Sequence, residues 1–375
     1  MADNFSQPSL LSLGSTTRML SNLRLDGPLV IGLALIAIYG EIVLYSASGE
    51  SLRRVADGSV RVLLGGIAML VVAQIKPSLL LRSAPWLYLI GIALLIVVDA
   101  IGYIGKGAQR WLDLGFIRFQ PSEIMKLAVP MTAAWFLHER RLPPGLAASF
   151  GVLGIILVPA GLTIVQPDLG TGVLIIIGGG LVLILAGLRV RIMLLALAVA
   201  GAAAWIGWGF LRDYQRDRVL MFLNPELDPL GAGYHSIQSA IAIGSGGGFG
   251  RGWLHGSQGQ LEFLPERSTD FIYAVVGEEF GMAGAVLLIG LYFFVLGRSL
   301  YLALQTQNTF ARLLSGSLAL TFFVYVFINM GMVSGLLPVV GVPLPLFSYG
   351  GTSAVTLLTG FGMLMSLFSH RKLVT

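Results

Sequence analysis

The chain has 375 residues, of which 55% are hydrophobic and only 11% charged. A soluble domain keeps roughly a quarter of its residues charged because its surface faces water, so lipid is this chain's main solvent. The net charge of +5 is spread in ones and twos beside apolar stretches, which argues against a nucleic-acid partner, and the absence of cysteine excludes disulfides, iron–sulfur clusters and thiolate metal sites.

Residues 1–27 are polar and mixed and read as a cytosolic tail, because the apolar run after them is too long for the core of a cleaved signal peptide. A span needs about 20 mostly apolar residues to cross a hydrocarbon layer about 30 Å thick. Ten segments qualify, at approximately 28–48, 60–76, 84–104, 121–138, 145–166, 170–188, 192–211, 271–298, 312–337 and 345–368. The predicted fold class is an all-α polytopic membrane protein. It has one membrane domain over 28–369, a large extracytoplasmic loop at 212–270 between spans 7 and 8, and a cytosolic end at 370–375.

Each inner connection carries two Lys or Arg, as in Arg140 and Arg141. Two short outer loops carry three each (Arg53, Arg54 and Arg61; Lys106, Arg110 and Arg118) and two carry none, while the long 212–270 segment is discounted. That bias puts both termini in the cytosol. The polar and Gly-Pro clusters then fall in the 3–4, 5–6, 7–8 and 9–10 connections, all on one face. Such asymmetry suggests chemistry at a surface rather than a path through the middle.

Four stretches could carry it. In the 3–4 loop, Lys106, Arg110 and Arg118 are candidates to clamp phosphates, with Trp111 as an interfacial anchor. Just beyond, Glu123 and Lys126 lie three apart in span 4 and share a helix face; they are either functional or a buried ion pair that fixes packing. Asp168 in the hairpin Gln166-Pro-Asp168-Leu-Gly-Thr171 is a helix cap or a binding group. The 7–8 segment offers glycines 246–248, whose backbone can approach a ligand closely, and Leu264-Pro-Glu266-Arg267-Ser-Thr-Asp270. Asp270 stands at the entrance to span 8, where a carboxylate meets a headgroup whose tail lies in the bilayer, unless it merely caps the helix. Pro338 to Thr352 breaks regular helix and reads as a re-entrant turn lining the site. Glu41, Asp99, Glu278 and Glu279 also fall within predicted spans, where a structural hydrogen bond is the simpler role for each. No Walker A loop, zinc-ligand cluster or nucleophile elbow is present.

The motifs KGAQRWLDLG…FQPSE, QPDLGT, DPLGAGYH…Q…AIGSGG, GWLHGSQ…LEFLPERSTDF and LPVVGVPLPLFSYGGTS, in this order over nearly the whole chain, resemble the SEDS family (shape, elongation, division and sporulation). The resemblance favours the rod-shape branch over the division branch, chiefly through GWLHGSQ. It implies a peptidoglycan glycosyltransferase that polymerises lipid II at the outer face of the cytoplasmic membrane during lateral wall elongation. It further implies Asp270 as the essential aspartate, the Glu123–Lys126 pair, and binding residues among Gln258, Glu266, Arg267, Ser348 and Tyr349. A divalent cation (Mg or Mn), a class B penicillin-binding transpeptidase and other elongation-complex membrane proteins are implied as cofactor and partners. Similar proteins often carry histidine two residues before the aspartate, where this chain has Ser268. A lipid II flippase and a non-catalytic scaffold for the transpeptidase are the alternatives. A flippase needs polar groups along a route across the bilayer; a scaffold has no need of intramembrane acids.

Overall fold

Where the first span begins is set by one side chain: Asp26 accepts from the Leu29 backbone amide at 3.0 Å and is also gripped by Arg298, at 2.9 and 2.7 Å. The structure, a computed structural model, describes residues 24–105, 108–113, 118–207, 209, 216, 220, 234–260, 263–264, 266–350 and 352–370. Most of the two predicted tails and much of the 212–270 loop lie outside these residues.

Ten helices of 17 to 25 residues run through the described chain. They are α1 (Gly27–Ala47), α2 (Leu52–Ala73), α3 (Pro77–Ile101), α4 (Pro121–Leu137), α5 (Leu146–Val165), α6 (Leu169–Leu185), α7 (Val190–Gly207), α11 (Gly281–Leu304), α12 (Thr309–Val333) and α13 (Ser353–Ser369). Six of them are long and apolar enough to cross a membrane, and α6 and α13 are shorter apolar helices. Between α7 and α11 the described residues include three shorter helices, α8 (Tyr234–Ser245), α9 (Ser257–Gln260) and α10 (Ile272–Glu279). A small antiparallel sheet, β1 (Tyr103–Gly105), β2 (Ala108–Asp113) and β3 (Arg118–Phe119), fills the α3–α4 connection, pairing Tyr103 with Trp111 and Leu112 with Phe119.

Several expected boundaries change. The second helix begins at Leu52, so Arg53, Arg54 and Arg61 ride on α2 rather than in a loop; its N-cap Ser51 outweighs the modest apolarity of that first turn. The eighth predicted span is two helices, because the chain turns at Gly281 (φ 62°), a conformation that costs any residue with a Cβ. Glu278 and Glu279 therefore belong to the eight-residue α10, ahead of the long α11. The last helix begins at Ser353, and residues 338–344 before it are without regular structure, as the Pro-Gly pattern predicts.

The glycine run has a different role from the one expected. A Cβ on Gly246 would lie 1.9 Å from the Gly277 carbonyl oxygen, and one on Gly250 2.0 Å from that of Glu279. The amides of Arg251 and Gly252 donate to Glu278 and Glu279 carbonyls, and those of Met282 and Ala283 to Gly247 and Gly248. This loop clamps the α10–α11 break. The close approach is to the protein's own backbone.

Two packed cores share α12 and α13. One gathers α1, α10 and α11 around Phe322, Phe347 and Phe361; the other gathers α3 to α6 around Met125, Met131 and Ile156. The polar cavity described next opens where they meet.

Candidate functional site

A cavity of about 260 Å³ lies between the starts of α4 and α6, the middle of α12, and two irregular segments at residues 266–270 and 341–353. Its walls bring together the pair Glu123 and Lys126, the carboxylates of Asp168, Glu266 and Asp270, and Arg110 from the small sheet. These groups are spread over 160 residues of sequence. The fold makes them neighbours.

On α4, Lys126 Nζ donates to Glu123 Oε1 at 2.6 Å, with both residues buried, and lies 5.3 Å from the centre of the Tyr325 ring on α12. Glu123 sits in the first turn of its helix, where the N-terminal dipole favours an anion. Its other oxygen, Oε2, is buried and has no hydrogen-bond partner among the described residues. A buried carboxylate oxygen without a donor is costly and points toward something that fills the cavity.

Asp168 is a helix cap that also faces the cavity. It is the N-cap of α6, accepting from Thr171 N at 3.3 Å, and it faces the cavity while accepting from Gln120 Nε2 at 2.8 Å. Arg110 lies 3.8 Å from Asp168 Oδ1 and also donates to the Gln166 and Pro167 carbonyls. It thereby ties the sheet to the α5–α6 hairpin while its guanidinium stays half-buried at the wall. Gln166 completes the brace by donating to the Leu95 carbonyl at 2.8 Å.

Asp270 does not cap α10. The capping position is Phe271, with no side-chain bond, and the half-buried Asp270 carboxyl faces the cavity instead. Gly341 (φ 72°) comes beside it: a Cβ there would lie 3.5 Å from Asp270 Oδ2. Glu266 bonds Thr269 through its side chain at 2.7 Å within the same turn. Tyr349 joins the wall, its amide donating to the Ser268 carbonyl at 2.8 Å and its hydroxyl accepting from Arg61 of α2 at 3.1 Å.

Three expected residues stand elsewhere. Gln258 packs on α10, its amide donating to Glu278 Oε1 at 2.9 Å; Arg267 reaches toward Gly49 at the α1–α2 turn; and Ser348 closes its own turn by accepting from Leu344 N at 2.9 Å. Lys106 lies outside the described residues, as does the side chain of Arg118, whose backbone forms β3. Two cavity-facing or cavity-bracing groups were missed, Tyr325 and Asn329. They lie four apart on one face of α12, in line with Ser317 and Thr321, and that spacing of polar groups in a mostly apolar span was the available signal.

Among the described residues no three His, Cys, Asp or Glu cluster as a metal cage. A hard cation such as Mg²⁺ does not need one, since it is commonly held by one or two carboxylates together with substrate phosphates. The unpartnered Glu123 Oε2 and the adjacent wall carboxylate of Asp168 fit that use.

The chain matches the family model described as cell cycle protein, FtsW/RodA/SpoVE, over residues 28–373. It is 51% identical over 352 residues to peptidoglycan glycosyltransferase MrdB of Escherichia coli K12, covering 94% of this chain and 95% of that one. It is 34% identical to a probable peptidoglycan glycosyltransferase FtsW of Trichlorobacter lovleyi, covering 92% and 94%. Among solved structures, a chain of a peptidoglycan synthase complex that coordinates polymerization and crosslinking superposes with a TM-score of 0.81 at 34% identity, covering 93% and 98%. The rod shape determining protein RodA of Thermus thermophilus superposes with a TM-score of 0.70 at 28% identity, covering 92% and 98%.

Proposed function

This chain belongs to the FtsW/RodA/SpoVE family of cell cycle proteins and is a peptidoglycan glycosyltransferase, and from that premise we propose that Asp270 is the general base of glycan polymerisation. The substrate is lipid II, the undecaprenyl-pyrophosphate-linked disaccharide-pentapeptide. Its donor sugar is α-linked to pyrophosphate and the product bond is β, so the anomeric carbon inverts in one displacement. Asp270 takes the proton from the acceptor 4-hydroxyl as that oxygen bonds to the anomeric carbon. The bond to pyrophosphate breaks on the opposite side, and undecaprenyl pyrophosphate leaves.

One observation carries this reading: Asp270 and the Glu123–Lys126 pair wall the same cavity. A base and a fixed positive charge on one chamber are what an inverting transfer with an anionic leaving group requires. Lys126, held by Glu123, faces the pyrophosphate, while Arg110 and Tyr349 line the remaining polar wall. A divalent cation held by Glu123 and Asp168 would supply further charge neutralisation at the leaving group.

The same reading gives ten crossings, both termini in the cytosol and the cavity toward the cell exterior, in the bacterial cytoplasmic membrane. A class B penicillin-binding transpeptidase is the proposed partner, in keeping with the matching synthase-complex chain. The test is purified protein with labelled lipid II. Wild type should yield glycan ladders, and Asp270→Asn should fold normally and yield none. Ladders from Asp270→Asn at wild-type rate would refute the base assignment, and leaflet scrambling without ladders from wild type would favour a flippase.

A further inference from the structure

Asn329 is fully buried on α12, and its amide nitrogen serves two carbonyls outside any helix. Nδ2 donates to the Asp270 carbonyl at 2.9 Å and to the Val342 carbonyl at 2.7 Å. Both neighbours are acceptors, so chemistry alone dictates which end of the amide faces them. Irregular backbone buried in a membrane protein must find partners from side chains, and these two segments form adjoining walls of the cavity.

The same helix also governs the other side of the chamber. Tyr325 lies one turn before Asn329, on the same face, and its ring sits 5.3 Å from Lys126 Nζ. At one level, then, α12 meets the cationic group; one turn on, it holds the backbone of the acid. α12 is long and packed into both cores, so this spacing is rigid. The turn that carries Asp270 is closed by the Thr269 and Phe271 amides on the Glu266 carbonyl, and the Asn329 amide ties it to α12. Asp270 lies two residues ahead of a short helix whose cap provides no side-chain bond.

We infer that Asn329 is a positioning residue for glycosyl transfer: it sets the offset between Asp270 and Lys126, with α12 as the ruler. The inference rests on Asp270 being the base, and it explains why a buried amide stands in an apolar span without touching the cavity itself. Geometry of this kind matters because a misplacement of about 1 Å can cost about 10²-fold in rate.

The test is a double-mutant cycle in the purified full chain with labelled lipid II. Asp270→Asn in the wild-type background should lower turnover at least about 100-fold, in the range of a lost general base. Asn329→Leu should lower kcat by a similar factor while KM for lipid II stays within about threefold, and it should elute as a monodisperse peak. In the Asn329→Leu background, Asp270→Asn should then cost less than about fivefold, since the base is already displaced. A merely structural Asn329 would reduce the amount of active protein and leave the full Asp270→Asn effect intact. That additive outcome, or wild-type turnover in Asn329→Leu, overturns the inference while leaving the base assignment standing. Full turnover in Asp270→Asn alone sinks the base assignment, and this inference with it. Asn329→Ser, which creates no overlap, carries the same cycle if the leucine variant is not recovered in folded form.

Discussion

Replacing Lys126 by methionine separates packing from chemistry in the buried pair. The Lys126 and Glu123 side chains are each 7% exposed and their charges stand 2.6 Å apart. At an effective dielectric constant of about 20, that separation corresponds to about 6 kcal/mol of attraction, partly offset by desolvation of both ions. Removing one partner leaves the other charge buried and unpaired, a loss of about 3–5 kcal/mol. Lys126→Met keeps the side-chain volume, so the expected result is a pronounced fall in Tm by intrinsic fluorescence in detergent and no glycan ladder. The double variant Glu123→Gln, Lys126→Met removes both charges and should regain most of the thermal stability, yet still make no ladder, because the charge facing the leaving group is gone. Wild-type turnover in the stable double variant would reduce the pair to a packing device and refute its place in the reaction. Unchanged stability in the single variant would contradict the burial argument.

Gly341→Ala forces an L side chain into a left-handed backbone (φ 72°) at a cost of about 1–2 kcal/mol and sets a methyl 3.5 Å from Asp270 Oδ2; turnover should fall at least tenfold with little change in yield, and a wild-type rate would show that this approach is unimportant. Arg298→Gln removes the fork onto Asp26 and should lower stability by about 1–2 kcal/mol while polymerisation per folded molecule is retained; a selective loss of activity would mean that α1 and α11 transmit strain to the cavity. Chelation should lower ladder formation by purified wild type, and added Mg²⁺ or Mn²⁺ should restore it; indifference to chelator would remove the cation from the proposal. Tyr349→Phe deletes the acceptor for Arg61 at 3.1 Å but keeps the ring under its guanidinium, so a loss of no more than severalfold is expected, measured as kcat/KM; complete inactivation would give the hydroxyl a larger part than its contacts suggest.

Lipid as the solvent, a helical chain of many spans and the motif-bearing connections were all legible from residue types, because apolar length and helix-breaking residues are local properties. The three-residue spacing of Glu123 and Lys126 likewise predicted their contact, since helix geometry alone makes it. Asp168 was harder: a cap and a cavity wall look the same in sequence, and here one carboxylate is both. Tertiary structure decided the rest. It turned the glycine run onto α10 instead of a ligand, moved Gln258, Arg267 and Ser348 away from the cavity, and split the eighth predicted span at Gly281. It also made Asn329 the tie between Asp270 and Val342, two residues 72 positions apart. Periodicity and hydropathy report each segment's own preference, but which carbonyl lacks a partner, and which distant amide can reach it, depends on how the spans pack. Only the packed chain contains that information.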